Sequence, residues 1–274
     1  MKVCICCIGR MENRYINEFI SHYLKIGVDK IFIYDNNYDD EEYFEDVIPN
    51  ELLNKQVEII NFRNMSYCQL KAYQDCYDKH NKEYDWMLFI DCDEFLHIEK
   101  FDNIKNFVNQ EKFNNFALIH INWMVFDDNN QIKYEEKSLQ ERFPSPKMPL
   151  NWVKTHPISE NCLIKTLIRG NLSQIKWSNT PHTPISNYRC CNPSGIEVNS
   201  NHFLNPIDFD YAYLKHYTTK TIEEWLDIKT KRGFPDGNKD HFKKVNIIDE
   251  FFKTNEKTEE KINFIKERGL KHLL

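Results

Sequence analysis

The chain has 274 residues, 41% hydrophobic and 14% aromatic, enough to bury a large core, so its low mean hydropathy does not signal disorder. A formal net charge of −6 argues against a general nucleic-acid binder, and an anionic ligand would need a local cationic patch or a metal. No stretch approaches the ~18 apolar residues of a membrane span, the N-terminal apolar run is too short for a signal peptide, and the nine cysteines lack zinc-ribbon spacing, so the expectation is a reduced, cytoplasmic protein.

In chain order, Lys2 to Ile8 reads as a strand broken by Gly9. Ile16, Phe19, Ile20, Tyr23 and Leu24 then recur at helical spacing, with Gly27 as the C-terminal cap. Lys30 to Tyr34 is a second strand ending in Asp35-Asn36-Asn37, and Val57 to Ile60 a third, with a short helix or loop across the acidic stretch Asp39 to Asp46. Ser66 is placed to cap a helix through His80, with Leu70, Tyr73 and Tyr77 inward. Ile104 to Gln110 suits a helix and Phe116 to Ile121 a strand. From Asn122 to Pro206 the chain is rich in Pro, Asn, Ser and His, with a β-like piece at Cys162 to Ile168, and predicts a mixed, loop-heavy half. Helices are expected at Thr221 to Arg232, His241 to Lys253 and Glu256 to Arg268. Alternating strands and helices at the start predict an α/β fold with a mostly parallel sheet, in a single unit.

The most informative stretch is Tyr84 to Leu96, YDWMLFIDCDEFL. Five apolar residues, Trp86 to Ile90, suit a strand buried on both faces, and they run straight into Asp91, Cys92, Asp93 and Glu94. Ligands of open α/β sheets bind beyond the carboxyl ends of the strands. Clustered carboxylates raise each other's pKa unless a cation neutralises them, and Mg²⁺ or Mn²⁺ held by one or two carboxylates plus substrate phosphates suits that position. Asp35 ends the second strand on the same rim, which suggests a nucleotide site; an Asx turn is the alternative. In LKHYTTKTIEEWLDIKTKRG, Thr221 and Glu224 form a capping box just after His216 and Lys220. The helix start, with Lys220, Lys229 and Arg232, could neutralise a pyrophosphate, and His216 could complete a metal site or bond a phosphate.

The segments CCIGRMENRYINEFISHYLKIGVDKIFIYDN, CQLKAYQDCYDKHNKEYDWMLFIDCDEFL and HYTTKTIEEWLDIKTKRG resemble, in the same order, the family 92-like glycosyltransferases of the GT-A superfamily, close to family 2. The resemblance implies a nucleotide-sugar-binding half at 1–121, an acceptor-side half at 122–219 and C-terminal helices at 220–274. It implies inverting transfer from a UDP-sugar, UDP-galactose among the candidates, with Mn²⁺ or Mg²⁺ on the Asp-X-Asp motif. By position, Glu12 matches the acid of an Asn-Glu pair, Asp35 the nucleoside-binding acid, and Gln69 the glutamine opening the helix before the motif. Asp91 and Asp93 match the metal motif, His216 the late metal-reaching histidine, and Lys220 a phosphate contact. Met11 stands where Asn is usual, and Asp127-Asp128 where relatives often have Gly-Ser.

The general base is sought first at Asp127, then at Asp128 or Glu141, with Trp123 as a stacking surface for an acceptor sugar. The acceptor expected by analogy is a glycan or lipid-linked glycan of surface-polysaccharide assembly, with peripheral membrane contact through Lys243, Lys244 and the C-terminal helices. Two rival readings are a sugar nucleotidyltransferase, disfavoured because only Gly9 is available for a phosphate loop, and a non-catalytic carbohydrate-binding scaffold.

Overall fold

The computed structural model describes residues 1–149, 152–153, 159–232 and 246–274. Strand and helix alternate through β1 (Val3–Gly9), α1 (Asn13–Lys25), β2 (Lys30–Asp35), β3 (Val57–Asn61), α2 (Gln69–His80) and β4 (Trp86–Phe89). Successive side chains of a strand point to opposite faces, and here both faces are covered. Val3, Ile5 and Cys7 pack with Ile16, Phe19, Ile20 and Tyr23 of α1. Cys4, Cys6 and Ile8 pack with Ala72, Tyr73, Cys76 and Tyr77 of α2. The strand therefore reads as apolar throughout, and its thiols serve as small hydrophobes: all nine cysteines are buried thiols. Gly27, at φ +91°, ends α1 as expected.

The sheet continues through β5 (Glu94–Ile98), β6 (Leu118–Val125), β7 (Ile164–Arg169) and β10 (Ala212–His216), with short β8 (Cys190–Cys191) and β9 (Glu197–Val198) beside β6. Its order is β3-β2-β1-β4-β7-β6-β10-β5. The first four strands run parallel, whereas β7 lies antiparallel between β4 and β6. β10 runs parallel to β6 and antiparallel to β5. The α/β architecture with a largely parallel sheet is thus realised.

Two pairings position the site. Thr166 of β7 sits opposite Phe89, so Lys165 arrives beside the end of β4. His216 of β10 sits opposite Glu94, and the amide of Tyr217 donates to the carbonyl of Asp93 at 3.0 Å.

The segment after β10 is helical but not uniformly α: Ile222–Glu224, then a π-helical stretch Trp225–Lys229, then Thr230–Arg232. Its apolar side packs on Ile247–Thr254 and Glu259–Glu267 through Ile222, Trp225, Leu226, Ile248, Phe251 and Ile265. Residues 241–245 of the predicted His241 to Lys253 helix, including Lys243 and Lys244, lie outside the described residues. One start signal is corrected: α2 begins at Gln69 with Cys68 at the N-cap, not at Ser66. Tyr67 takes φ +52°, which turns the chain away from the helix and leaves Ser66 in the wall of a cavity. No helix among the described residues is long and apolar enough to cross a membrane.

Candidate active site

The carboxyl ends of β1, β2 and β4 form one rim, and a cavity of about 240 Å³ opens there. Its walls include Arg10, Glu12, Asn36, Tyr38, Asp91, Asp93, Trp123, His216, Lys229 and Arg232. Gly9 permits the close approach of β1 to the acidic turn. A Cβ at that position would stand 2.8 Å from the Phe44 ring and 3.1 Å from Cys92 Sγ.

Asp93 is buried between two partners from the far end of the chain. His216 Nε2 lies 3.6 Å from Oδ1, and Lys220 Nζ lies 3.6 Å from Oδ2. Burial opposes ionisation of Asp93, but Lys220 and His216 outweigh it and hold the carboxyl well below its usual range. Neither partner is within hydrogen-bond reach, so the carboxylate is balanced electrostatically without being closed off.

Asp91 differs. Its Oδ1 accepts from Gln69 Nε2 at 2.6 Å, and its Oδ2 from Lys165 Nζ at 2.8 Å. Burial raises its pKa, but Lys165 brings it below the ordinary value. Lys165 is fully buried and also stands 3.8 Å from Glu94 Oε1. Glu94 goes the other way: burial pushes it well above a normal carboxyl, with Lys165 only partly opposing. Lys165 is the partner of Asp91 that the sequence reading does not name. Its signal was a single lysine inside the apolar strand LIKTLIR, a charge that is seldom fully buried unless paired.

Lys220 adopts φ +58°, uncommon for a residue with a side chain. The capping box beyond it is present as expected: Thr221 Oγ1 accepts from the Glu224 amide, and Glu224 accepts from the Thr221 amide at 3.1 Å. Glu224 is further held by Tyr15 Oη at 2.6 Å and by both terminal nitrogens of Arg142 at 2.8 Å. Burial is again opposed, here by Arg142, Tyr15 and Thr221, and the Glu224 carboxyl falls to about 2. The Tyr15 ring lies 4.7 Å below the Lys220 ammonium. The expectation that helix amides greet a phosphate needs correction. The Glu224 amide is taken by Thr221 and that of Glu223 by the Ile132 carbonyl at 3.1 Å. The cationic face is made of side chains, with Lys229 and Arg232 lining the cavity from the π-helical turn and the residues after it. Such turns recur at functional sites.

Glu12 lines the cavity and pairs with Arg232, whose guanidinium is lowered to about 10 by burial and by Arg10. Arg10 lies 4.0 Å over the Tyr38 ring and is clamped by both oxygens of Glu41. Asp35 is on the rim but not among the lining residues. Its Oδ1 accepts from the amide and side chain of Asn37, an Asx turn, and its Oδ2 from Arg63 at 2.6 Å. Gln69 is buried and acts on Asp91 instead of facing the cavity.

The three residues nominated as base do not line the cavity. Asp127 closes an Asx turn on Asn129. Asp128 is buried against Lys261 at 2.5 Å, anchoring the last helices, and Glu141 serves the exposed capping box begun by Ser138. Their acidity is spent on loop and helix geometry, which local sequence cannot distinguish from catalysis.

A divalent cation has a plausible seat. Asp93 Oδ1 and His216 Nε2 offer an oxygen and a nitrogen 3.6 Å apart, and His216 Nδ1, on the other side of the ring, is buried without a hydrogen-bond partner among the described residues. Among the described residues no group of three or more His, Cys, Asp or Glu could hold a metal. Remaining ligands would have to come from substrate and water, as is usual for Mg²⁺.

An α/β sheet with a mixed acid–base cavity at its carboxyl rim defines a class of ligand-binding folds. Within that class, the family model "Glycosyltransferase family 92" matches residues 1–262, and the chain belongs to this family. A glycosyltransferase family 92 protein of Oryza sativa subsp. japonica is 32% identical over 104 residues, 35% of this chain and 16% of that protein. One from Ricinus communis is 27% identical over 136 residues, 46% of this chain and 23% of that protein. The matches thus span about a fifth of these relatives' lengths. The crystal structure of S. aureus TarS 1–349 in complex with UDP-GlcNAc aligns with a TM-score of 0.45 at 14% identity, covering 97% of this chain and 79% of that one.

Proposed function

We propose that the chain is a metal-dependent glycosyltransferase that moves a sugar from a UDP-sugar to a glycan hydroxyl with inversion. One observation carries this reading: Asp93 is suspended between His216 and Lys220 on a cavity that Lys229 and Arg232 also line. In a chain of net charge −6, the lining sets Arg10, Lys229 and Arg232 against Glu12, Asp91 and Asp93, a local balance that a divalent cation on Asp93 would tip toward a departing diphosphate. The sheet order and the family membership support the GT-A assignment.

In this mechanism Asp93 and His216 would hold Mn²⁺ or Mg²⁺, which supplies Lewis-acid neutralisation of the diphosphate when bound. Lys229 and Arg232 attract the phosphate oxygens from the cavity wall and stabilise charge as the glycosidic bond to the leaving group breaks, while Lys220 offsets the charge of Asp93 from behind. Asp91, pinned by Gln69 and Lys165, retains lone pairs to receive donor hydroxyls. Asn36 and Tyr38 flank the nucleoside, and Asp35 serves it from behind by holding their loop. Alignment of donor and acceptor in the enclosed cavity contributes several kcal/mol to the lowered barrier.

Calorimetry with UDP tests this. Binding should require Mn²⁺ or Mg²⁺ and weaken at least tenfold in Asp93→Asn. UDP binding that ignores both the metal and Asp93 would remove the cation from the mechanism, and absence of UDP binding would remove the donor.

A further inference from the structure

A second pocket, of about 340 Å³, has Asn179, Thr183, Ser186, Ser200, Asn201 and His202 in its walls. No Lys, Arg, Asp or Glu is among its described lining residues, although 28% of the chain is charged. A charged ligand would find no counter-charge there, and a purely apolar one would strand hydroxyls and amides. Side-chain amides and hydroxyls both donate and accept, the pattern a sugar hydroxyl needs. Ser186 Oγ is buried at the wall without a hydrogen-bond partner among the described residues, a costly state. Apolar surface stands close by: Ile185 in the wall is 49% exposed, and Phe203, its ring 4.2 Å from His202, is 44% exposed. Such surfaces suit the C–H face of a pyranose.

A line of packed rings runs from the pocket wall to the wall of the donor cavity. His202 lies 6.3 Å from His182, His182 lies 5.2 Å from Trp123, and Trp123 lies 4.1 Å from His216. The last two line the donor cavity. Phe203 is tied to the start of β7 by a bridge to Leu163, and Ile185 is bridged to Lys176. His182 is oriented as well: its Nδ1 is 2.8 Å from the Ile164 carbonyl, and its own carbonyl accepts from Thr166 Oγ1 at 2.8 Å. A carbonyl only accepts, so Nδ1 carries the proton and Nε2 is left as an acceptor in the neutral ring. Burial, then the charge of Lys165, lowers this histidine to about 4, which keeps it neutral at pH 7.

We infer that this pocket is the subsite for a neutral, polyhydroxylated acceptor, a glycan chain whose reacting hydroxyl reaches the donor cavity past His182 and Trp123. The inference rests on the donor-site reading above. It names where the substrate on the other side of the reaction is held and that this substrate is uncharged.

The experiment is saturation-transfer NMR of the whole chain with neutral trisaccharides of glucose, galactose and N-acetylglucosamine, with UDP affinity measured in parallel. At least one trisaccharide should bind the wild type without competing with UDP. Asn201→Ala combined with His202→Ala should weaken it tenfold or more, and Ser186→Ala alone a few-fold, with UDP affinity reporting that each variant is folded. If no trisaccharide binds, if binding survives the double substitution, or if UDP displaces the sugar, the subsite is overturned. If UDP does not bind the wild type while the sugar does so in a manner sensitive to Asn201 and His202, the subsite stands and only the donor reading fails.

Discussion

Two strand ends on the same rim make opposite use of an aspartate. At the end of β2, Asp35 is closed in by Arg63 at 2.6 Å and by the amide and side chain of Asn37. Beyond β4, Asp93 faces His216 and Lys220 at 3.6 Å and makes no comparably short contact with either. Both are buried, so exposure does not separate them. A carboxylate with short, directional partners and no place in the cavity wall, like Asp35, is committed to the fold. One balanced by charge at a distance keeps its lone pairs for a ligand.

The largest effect that would sharpen this contrast is on stability. Asp35→Ala takes the 2.6 Å partner from a buried Arg63, leaving it Asp39 at 3.5 Å and the carbonyls of Tyr38 and Glu42, and should cost roughly 3 kcal/mol, read from urea unfolding, while raising the KM for donor more than it lowers kcat. Asp93→Asn should do the reverse. Hydrolysis of UDP-sugar should fall about 10²–10³-fold, with the thermal midpoint within a few degrees of wild type. Equal stability losses in the two variants would break the comparison.

A third test uses Glu224, which is committed in the manner of Asp35. Its folded pKa lies below its unfolded one, so its contribution is present above the ordinary glutamate range and is lost as pH falls through about 2. Stability should therefore decline by about 3 kcal/mol between pH ~4.5 and ~2 on this group's account, and Arg142→Met should flatten that slope. The smallest effect concerns Gln69, whose hydrogen bond orients Asp91. Gln69→Ala should lower kcat/KM about tenfold without altering the metal requirement, as expected for a lost bond to a charged group. A change in metal dependence would instead place Gln69 near the cation.

The acidic-tipped strand, the capping box at Thr221 and the amphipathic α1 were legible because each is a local pattern. Periodicity exposes a buried face, and a cap needs only residues three apart. The misreadings share a cause. Asp127, Asp128 and Glu141 look like catalytic acids in an otherwise polar loop, but Asn129, Lys261 and Ser138 claim them, and Lys261 is more than a hundred residues distant. Ser66 resembles a cap until Tyr67 turns the backbone the other way.

By itself the sequence determined the alternation of strands and helices, the burial of the cysteine-rich first strand and the placement of Asp91 and Asp93 at a strand's end. These follow from side-chain period and from the abruptness with which apolar residues give way to acids. Only the tertiary structure decided how each acid is balanced. The antiparallel insertion of β7 delivers Lys165 to Asp91, and the pairing of β10 with β5 delivers His216 and Lys220 to Asp93. Charge balance depends on distances of a few ångströms between residues that the chain holds far apart, and no local pattern records them.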